Sequence, residues 1–289
     1  MPFAPSFAPP GLLDAAATAA RLPWSALADE IAALLQDNSV VVPQRAVLPL
    51  AQGGSLFVMP ATDQAVAMTK LITLTPGNAG TGRPPIQGDV VVFDIATGER
   101  RLVLHGPTVT ARRTAAASLL AAQRLAPVPQ GPLLIVGAGV QGLAHADAFI
   151  QGLGVREVWI ASRSRASAEA LAAQVQALGA QARVVSDADV AVPHCPLIAT
   201  CTTGKAVVLS APPRPDTFIA AVGAFTPAMV ELAPGLCQHI AQHGRIVVDT
   251  SDALHEAGDL LQAGLDVAAL PTLGDVVRDH RNAALKHPP

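Results

Sequence analysis

Cysteine, lysine, concentrated positive charge and long apolar runs are all scarce in this sequence, and each scarcity excludes something. Cys195, Cys201 and Cys237 are the only three cysteines. They are odd in number, without CxxC spacing or a histidine at metal-ligand spacing, so disulfide and zinc readings are weak and the expected role is that of small buried hydrophobes. No metal site is expected: His239 and His243 stand four apart in "CQHIAQHG", but no Glu or third ligand accompanies them, and they read as a pair at a helix end. No basic run exists, and a net charge of -3 with a pI near 6.2 argues against a nucleic-acid partner, because neutralising phosphates needs a concentrated basic face. No window reaches the roughly 18 uninterrupted apolar residues that a membrane span requires. The amino-terminal "MPFAPSFAPPGLLDAAATAARLPW" has no basic segment ahead of an apolar one, so no signal peptide is expected and the cytoplasm is the default location.

What the sequence does have is length and apolar residues: 289 residues, 51% of them hydrophobic, enough for a large core and about two domains. Residues 12–36 carry helical patterning, with Leu27, Ile31, Leu34 and Leu35 on one face. The period then changes to two. "SLFVMPA", "AVAMTKLITLT" and "GDVVVFDIATGERRLVLHG" read as strands, the last folded at the turn residues of "DIATGER", which predicts an antiparallel-rich α+β unit. A helix over about 108–125 closes it, and "PVPQGP" marks a linker. From 133 onward strands and helices alternate through "LLIVGAG", "EVWIASRS", "ARVVS", "LIATCTT", "TFIAAVGA" and "RIVVDT", the pattern of a parallel sheet covered on both faces. The fold class is therefore α/β: a doubly wound, Rossmann-type parallel sheet with a second α+β domain. The polar, Pro-terminated carboxyl end is expected to fray.

"LLIVGAGVQGLAHA" places Gly137-x-Gly139-x-x-Gly142 directly after an apolar strand and at the start of a helix, the context a dinucleotide-binding loop requires. Gly137 permits the tight turn, Gly139 lets the backbone approach a pyrophosphate, and Gly142 lets helix and strand pack closely. Val140 and Gln141 belong to the same loop. At the end of the next strand an NAD site usually places Asp or Glu on the ribose hydroxyls, whereas "ASRSRAS" offers Ser162, Arg163, Ser164 and Arg165. Serine and arginine can hold a 2′-phosphate where a carboxylate would repel it, so NADP(H) is favoured, with NAD(H) possible. Strand ends later in the sheet, Thr202-Thr203 and Val222-Gly223, complete the candidate cofactor set.

The three lysines are Lys70, Lys205 and Lys286, against sixteen arginines (19 − 3). Lys70 sits in the middle of the strand-like "AVAMTKLITLTPGN". Burying an unpaired ammonium costs several kcal/mol, so the side chain either snorkels out or meets an anion. Arg45 in "VVPQRAVLPL" and the Arg112-Arg113 pair in "TVTARRTAAAS" lie in similar apolar settings. Spacing alone does not join these cations, since arginines at element ends commonly snorkel.

The ordered motifs "AVAMTKLITLTPGN", "HGPTVTARRTAAASLLAAQRLA" and "LLIVGAGVQGLAHADAF", followed by "AVGAFTPAMVEL", "VVDTSDALHEAGDL" and "LGDVV", resemble the ornithine cyclodeaminase/mu-crystallin family, which includes ketimine reductases. The resemblance runs from about residue 40 to 277. It implies a substrate-binding and dimerisation domain over 1–126, rejoined by 276–289, and a Rossmann domain over 127–275, in a homodimer. It implies Arg45, Lys70 and Arg113 as residues that bind a substrate carboxylate, with Arg113 rather than Arg112 matching "TAxRTAA", and Thr110 as that motif's threonine, counted here with the cofactor set. Two departures stand out. Where cyclodeaminases place a catalytic Asp, this sequence has Ala224 or Phe225, which cannot move protons. The family also continues past "LGDVV" into a serine-glycine segment and a returning helix, whereas this sequence ends at Pro289.

Taken together, the expected activity is that of an NADPH-preferring oxidoreductase reducing a small cyclic imino acid, 1-pyrroline-2-carboxylate to L-proline or 1-piperideine-2-carboxylate to L-pipecolate. Lys70, with a pKa lowered by apolar and cationic neighbours, is the expected proton donor. Three alternatives stay open: an ornithine cyclodeaminase, an alanine-dehydrogenase-like enzyme, and a non-catalytic NADPH-binding protein of mu-crystallin type.

Overall fold

A computed structural model describes residues 11–78, 81–203 and 206–279. The start of the amino-terminal stretch read above for a signal peptide, and residues 280–289 of the carboxyl segment, lie outside the described residues. The chain groups into two units: residues up to Pro23 with Asp37–Arg112, and Trp24–Gln36 with the residues from Arg113 onward.

In the first unit a short strand β1 (Leu12–Leu13) precedes helix α1 (Ala15–Ala20), whose N-cap Asp14 accepts a hydrogen bond from the Ala17 amide at 2.8 Å. The single helical segment expected over 12–36 is thus divided. Pro23 lacks an N–H and disfavours helical backbone at Leu22, so α1 ends at Ala20 and α2 (Trp24–Leu34) begins afresh in the second unit. Its buried positions are Trp24, Ala28 and Ala32, spaced one turn apart, while Leu34 is 51% exposed; the expected apolar face is rotated because the large Trp24 anchors the helix.

Strands β2 (Ala46–Pro49), β3 (Ser55–Thr62), β4 (Val66–Leu74), β5 (Ile86–Asp94) and β6 (Arg100–His105) form a sheet in the order β1-β6-β5-β4-β3-β2. All neighbours are antiparallel except β1 with β6. The β5–β6 hairpin turns where the sequence places it: Asp94 accepts from the Thr97 amide at 2.9 Å. Helix α3 (Gly106–Leu125) follows β6 at once and crosses from the first unit into the second.

The second unit holds the five-stranded parallel sheet of β7 (Leu133–Val136), β8 (Glu157–Ala161), β9 (Gln181–Val185), β10 (Leu197–Thr200) and β11 (Phe218–Ala221), in the spatial order β9-β8-β7-β10-β11. This is the doubly wound arrangement, with chain direction across the sheet reversing between β7 and β10. Helices α4 (Val140–Leu153), α5 (Arg165–Ala177) and α6 (Ala188–Ala191) connect its strands, and α7 (Pro234–His243), α8 (Ala253–Glu256), α9 (Gly258–Gln262) and α10 (Leu273–Arg278) follow. Leu133, Leu134, Ile135, Leu197 and Ile198 are wholly buried, which explains why these strands read as continuous apolar runs. One expected strand is absent: in "RIVVDT" only Val248 pairs, through an isolated bridge to Thr272, and it does not join the sheet. The three cysteines are buried thiols; burial pushes Cys195 up to about 12 and Cys237 up to about 11, so they pack as apolar side chains. His239 and His243 stack at 4.4 Å on α7.

Candidate active site

The glycine loop joins β7 to α4 at the point where strand order reverses. Gly137 has φ of +116°, and a Cβ there would lie 2.7 Å from the Cys201 carbonyl oxygen and 3.2 Å from the Thr202 nitrogen; only glycine lets the loop run against the end of β10. A Cβ on Gly142 would meet the Gly137 carbonyl at 2.1 Å, whereas a Cβ on Gly139, the N-cap of α4, would meet nothing within 4 Å. Two glycines are therefore required by the chain's own packing, and the third borders open space at a helix N-terminus. Val140 is 73% exposed beside it. The Gln141 side-chain oxygen and the Thr202 hydroxyl are buried and have no hydrogen-bond partner among the described residues. Open space before Gly139, at a helix N-terminus, suits a dinucleotide's pyrophosphate.

Behind the loop, the ends of β10 and β11 are tied by a carboxylate that sequence reasoning missed. Glu231 is fully buried. Its Oε2 accepts from the Thr200 hydroxyl and the Gly223 amide, both at 2.7 Å, and its Oε1 accepts from the Thr202 amide at 2.5 Å. Asp259 Oδ1 in turn accepts from the amides of Glu231 and Leu232 at 2.6 and 2.8 Å. Burial pushes the Asp259 carboxyl up, opposed by these backbone donors. "EL" served in the sequence only as a landmark; a carboxylate satisfied by backbone N–H groups of distant residues leaves no periodic or pairwise signal. Val222 is bonded into the sheet by its amide to the Thr200 carbonyl at 3.0 Å, and Thr203 is exposed.

At the end of β8, Ser162 accepts from the Ser164 amide at 3.3 Å, and Ser164 caps α5 by accepting from the Ser167 amide at 3.2 Å. Arg165 pairs with Glu169 at 2.8 Å, while Arg163 is exposed. No carboxylate occupies residues 162–165.

The cations fall in both units. Lys70 lies in the middle of β4, opposite Met59 of β3 and Val90 of β5. Cross-strand partners share a face, so Lys70 stands on the same side as Val90 and, two residues on, Ile72, which are 2% and 6% exposed. The opposite face carries Leu71, 37% exposed. Lys70 is half-buried, and Arg45, immediately before β2, is exposed. On α3, Thr110 back-bonds to the Gly106 carbonyl at 2.9 Å, and Arg112 Nε donates to the Leu22 carbonyl at 2.6 Å. Arg113 belongs to the second unit. Crowding by the surrounding chain pulls its pKa down, opposed by the carboxylates of Asp249 and Glu256; the guanidinium stays charged. Arg45 and Lys70 are thus placed in the first unit's sheet region, and the glycine loop, Thr202, Val222 and Gly223 at one edge of the second unit's sheet.

A parallel sheet in doubly wound order, with a glycine loop at its switch point and open space before the helix that follows, defines a Rossmann-type α/β protein. The chain belongs to the ornithine cyclodeaminase/mu-crystallin family, whose profile matches residues 13–283. It is 36% identical over 270 residues to Delta(1)-pyrroline-2-carboxylate reductase 1 of Burkholderia multivorans, covering 92% of this chain and 85% of that protein. It is 36% identical over 246 residues to ketimine reductase mu-crystallin of Mus musculus, covering 83% and 76% respectively. Among solved structures, the Thermococcus litoralis Delta(1)-pyrroline-2-carboxylate reductase in complex with NADH and L-proline superposes with a TM-score of 0.78 at 22% identity, over 92% of this chain and 83% of that one. An archaeal alanine dehydrogenase dimer with bound NAD gives 0.78 at 23% identity, over 90% and 82%. These two likenesses speak for the fold. Among the described residues, no helix is long and apolar enough to cross a membrane.

Proposed function

We propose that this chain is an NAD(P)H-dependent reductase of cyclic ketimine carboxylates, converting 1-pyrroline-2-carboxylate to L-proline and 1-piperideine-2-carboxylate to L-pipecolate. The observation that carries the reading is the 36% identity to a Delta(1)-pyrroline-2-carboxylate reductase over 92% of this chain. The neutral Ala224 and Phe225, where the deaminases need an acid, support reduction over deamination.

In this reading the second unit binds the cofactor and also supplies Arg113 to the substrate, while the first unit supplies Arg45 and Lys70. These three cations hold the substrate carboxylate and so fix the orientation of the C=N bond, with charge-assisted hydrogen bonds supplying both affinity and geometry. The nicotinamide cofactor, when bound, supplies the hydride for the imine carbon. Lys70 delivers the proton that the imine nitrogen gains, so the bond is reduced to CH–NH with charge balanced.

NADPH is the preferred form, because Ser162, Arg163 and Ser164 present hydroxyls and a cation at the end of β8. Arg165, held by Glu169, contributes less. The protein acts as a homodimer. The face of the first unit's sheet opposite Lys70 carries Leu12, Leu48 and Leu71, exposed by 72%, 47% and 37%, with Val58, Val91 and Val103 on the same side by register, and a second copy of this face would cover it.

The reading is tested by following NADPH and NADH oxidation with 1-pyrroline-2-carboxylate, 1-piperideine-2-carboxylate, and pyruvate plus ammonia, and ammonia release from ornithine with NAD. Turnover of a cyclic imine is expected; its absence with both rings overturns the proposal.

A further inference from the structure

In the dinucleotide reading above, the end of β8 takes the adenosine side of a cofactor laid across the switch point, and the nicotinamide side falls over β10 and β11. The structure there is specific. Thr202 stands between two constraints: its amide nitrogen lies 3.2 Å from where a Cβ on Gly137 would be, and the same amide donates to Glu231 at 2.5 Å. Glu231 also takes the Gly223 amide and the Thr200 hydroxyl. A Cβ on Gly223 would lie 2.1 Å from the Thr202 carbonyl and 2.3 Å from Glu231 Oε1, so the two strand ends and the carboxylate are packed without slack. Both strand-end N–H donors are consumed, and the polar group left over is the Thr202 hydroxyl, buried and unpartnered. Behind Glu231, Asp259 fixes its backbone through two further amides.

We propose that Glu231 is a positioning residue for the nicotinamide end of the cofactor. By holding the carboxyl ends of β10 and β11 in one arrangement against the glycine loop, it sets where the Thr202 hydroxyl stands. Glu231 does not itself touch the cofactor. A carboxylate suits this task because its two oxygens accept from three donors between them, whereas an amide would aim an NH2 at groups that are themselves donors. The inference rests on the dinucleotide reading above.

The test uses Glu231→Gln, which keeps size and removes one acceptor. Calorimetric affinities are measured for NADPH and for its nicotinamide-free fragment, 2′-phospho-ADP-ribose, alongside NADH and ADP-ribose. The expected result is at least a tenfold weaker Kd for the nicotinamide-bearing ligands with the fragments held within twofold. Equal loss for ligand and fragment, or no loss for either in a folded variant, overturns the positioning role and leaves Glu231 a structural tie. Should Glu231→Gln fail to fold, Thr200→Val removes one of the three donors without touching the backbone; about threefold weaker NADPH with an unchanged fragment is expected, and unchanged NADPH affinity overturns the proposal. A parent protein that binds none of the four ligands sinks the dinucleotide reading, and this inference with it.

Discussion

The Gly223 amide and Glu231 Oε2 meet at 2.7 Å in the interior of the second unit, and no Cβ fits between them. Gly139, by contrast, has nothing of its own chain within 4 Å of a would-be Cβ. Gly223→Ala is therefore expected to destabilise the fold by about 1–3 kcal/mol, the cost of overpacking. Gly139→Ala should leave the denaturation midpoint almost unchanged and weaken dinucleotide binding, since its methyl group enters the space before the α4 N-terminus. Chemical denaturation and cofactor titration of both variants check the contrast.

Lys70→Met keeps length and apolar character while removing the proton. Turnover at saturating imine should fall by about 10²–10⁴-fold, the usual contribution of a positioned acid. Full turnover in this variant would leave Lys70 a binding residue only.

Removing Arg163 should change cofactor choice rather than chemistry. A charge-assisted hydrogen bond contributes about 1.5–3 kcal/mol, so Arg163→Ala is expected to lower the NADPH-to-NADH preference in kcat/KM by roughly 10- to 100-fold, with little effect on NADH kinetics. An unchanged ratio would place the 2′-phosphate elsewhere.

Leu71 lies on the open face of the first unit's sheet, so a carboxylate there would have to be buried if two copies meet on that face. Leu71→Glu is expected to shift the protein from dimer to monomer in sedimentation velocity at micromolar concentration, with its far-UV circular dichroism preserved.

His145 offers a test of stability against pH. It is fully buried, with Nδ1 at 2.8 Å from the Gln141 carbonyl and Nε2 at 3.0 Å from the Ser118 hydroxyl, and desolvation pulls its pKa from 6.5 down to about 4. The unfolded chain takes up a proton near pH 6.5 and the folded one does not. Its contribution is thus fully present above pH 6.5, falls as pH drops toward 4, and levels off below. At 1.36 kcal/mol per pH unit the loss is at most about 3 kcal/mol. His145→Gln should flatten the denaturation midpoint across that window relative to the parent.

Much of the fold was legible because local and global signals agreed. The period-two runs became β3 to β6, the apolar runs from 133 became β7 to β11, and the hairpin fell at "DIATGER". The exceptions have physical causes. Pro23 ended a helix that apolar periodicity alone carried through, and "RIVVDT" looked like a strand because its residues are apolar, although its one ladder partner is a single residue near the carboxyl end. The glycine loop was legible because its spacing is written in three residues, two of them, Gly137 and Gly142, required by sterics and the third, Gly139, bordering open space. Glu231 was not, because it is satisfied by Thr200, Thr202 and Gly223, up to 31 positions away in sequence.

The sequence by itself determined the alternation of elements, the pyrophosphate-compatible loop, the missing carboxylate after β8 and the scarcity of lysine that makes Lys70 conspicuous, all of which follow from residue types in short windows. Only the tertiary structure decided which face of its sheet Lys70 occupies, that Arg112 is engaged by the Leu22 carbonyl, and that a buried carboxylate fastens β10 to β11. Strand register and long-range hydrogen bonds settle those questions, and they exist only once distant segments have packed.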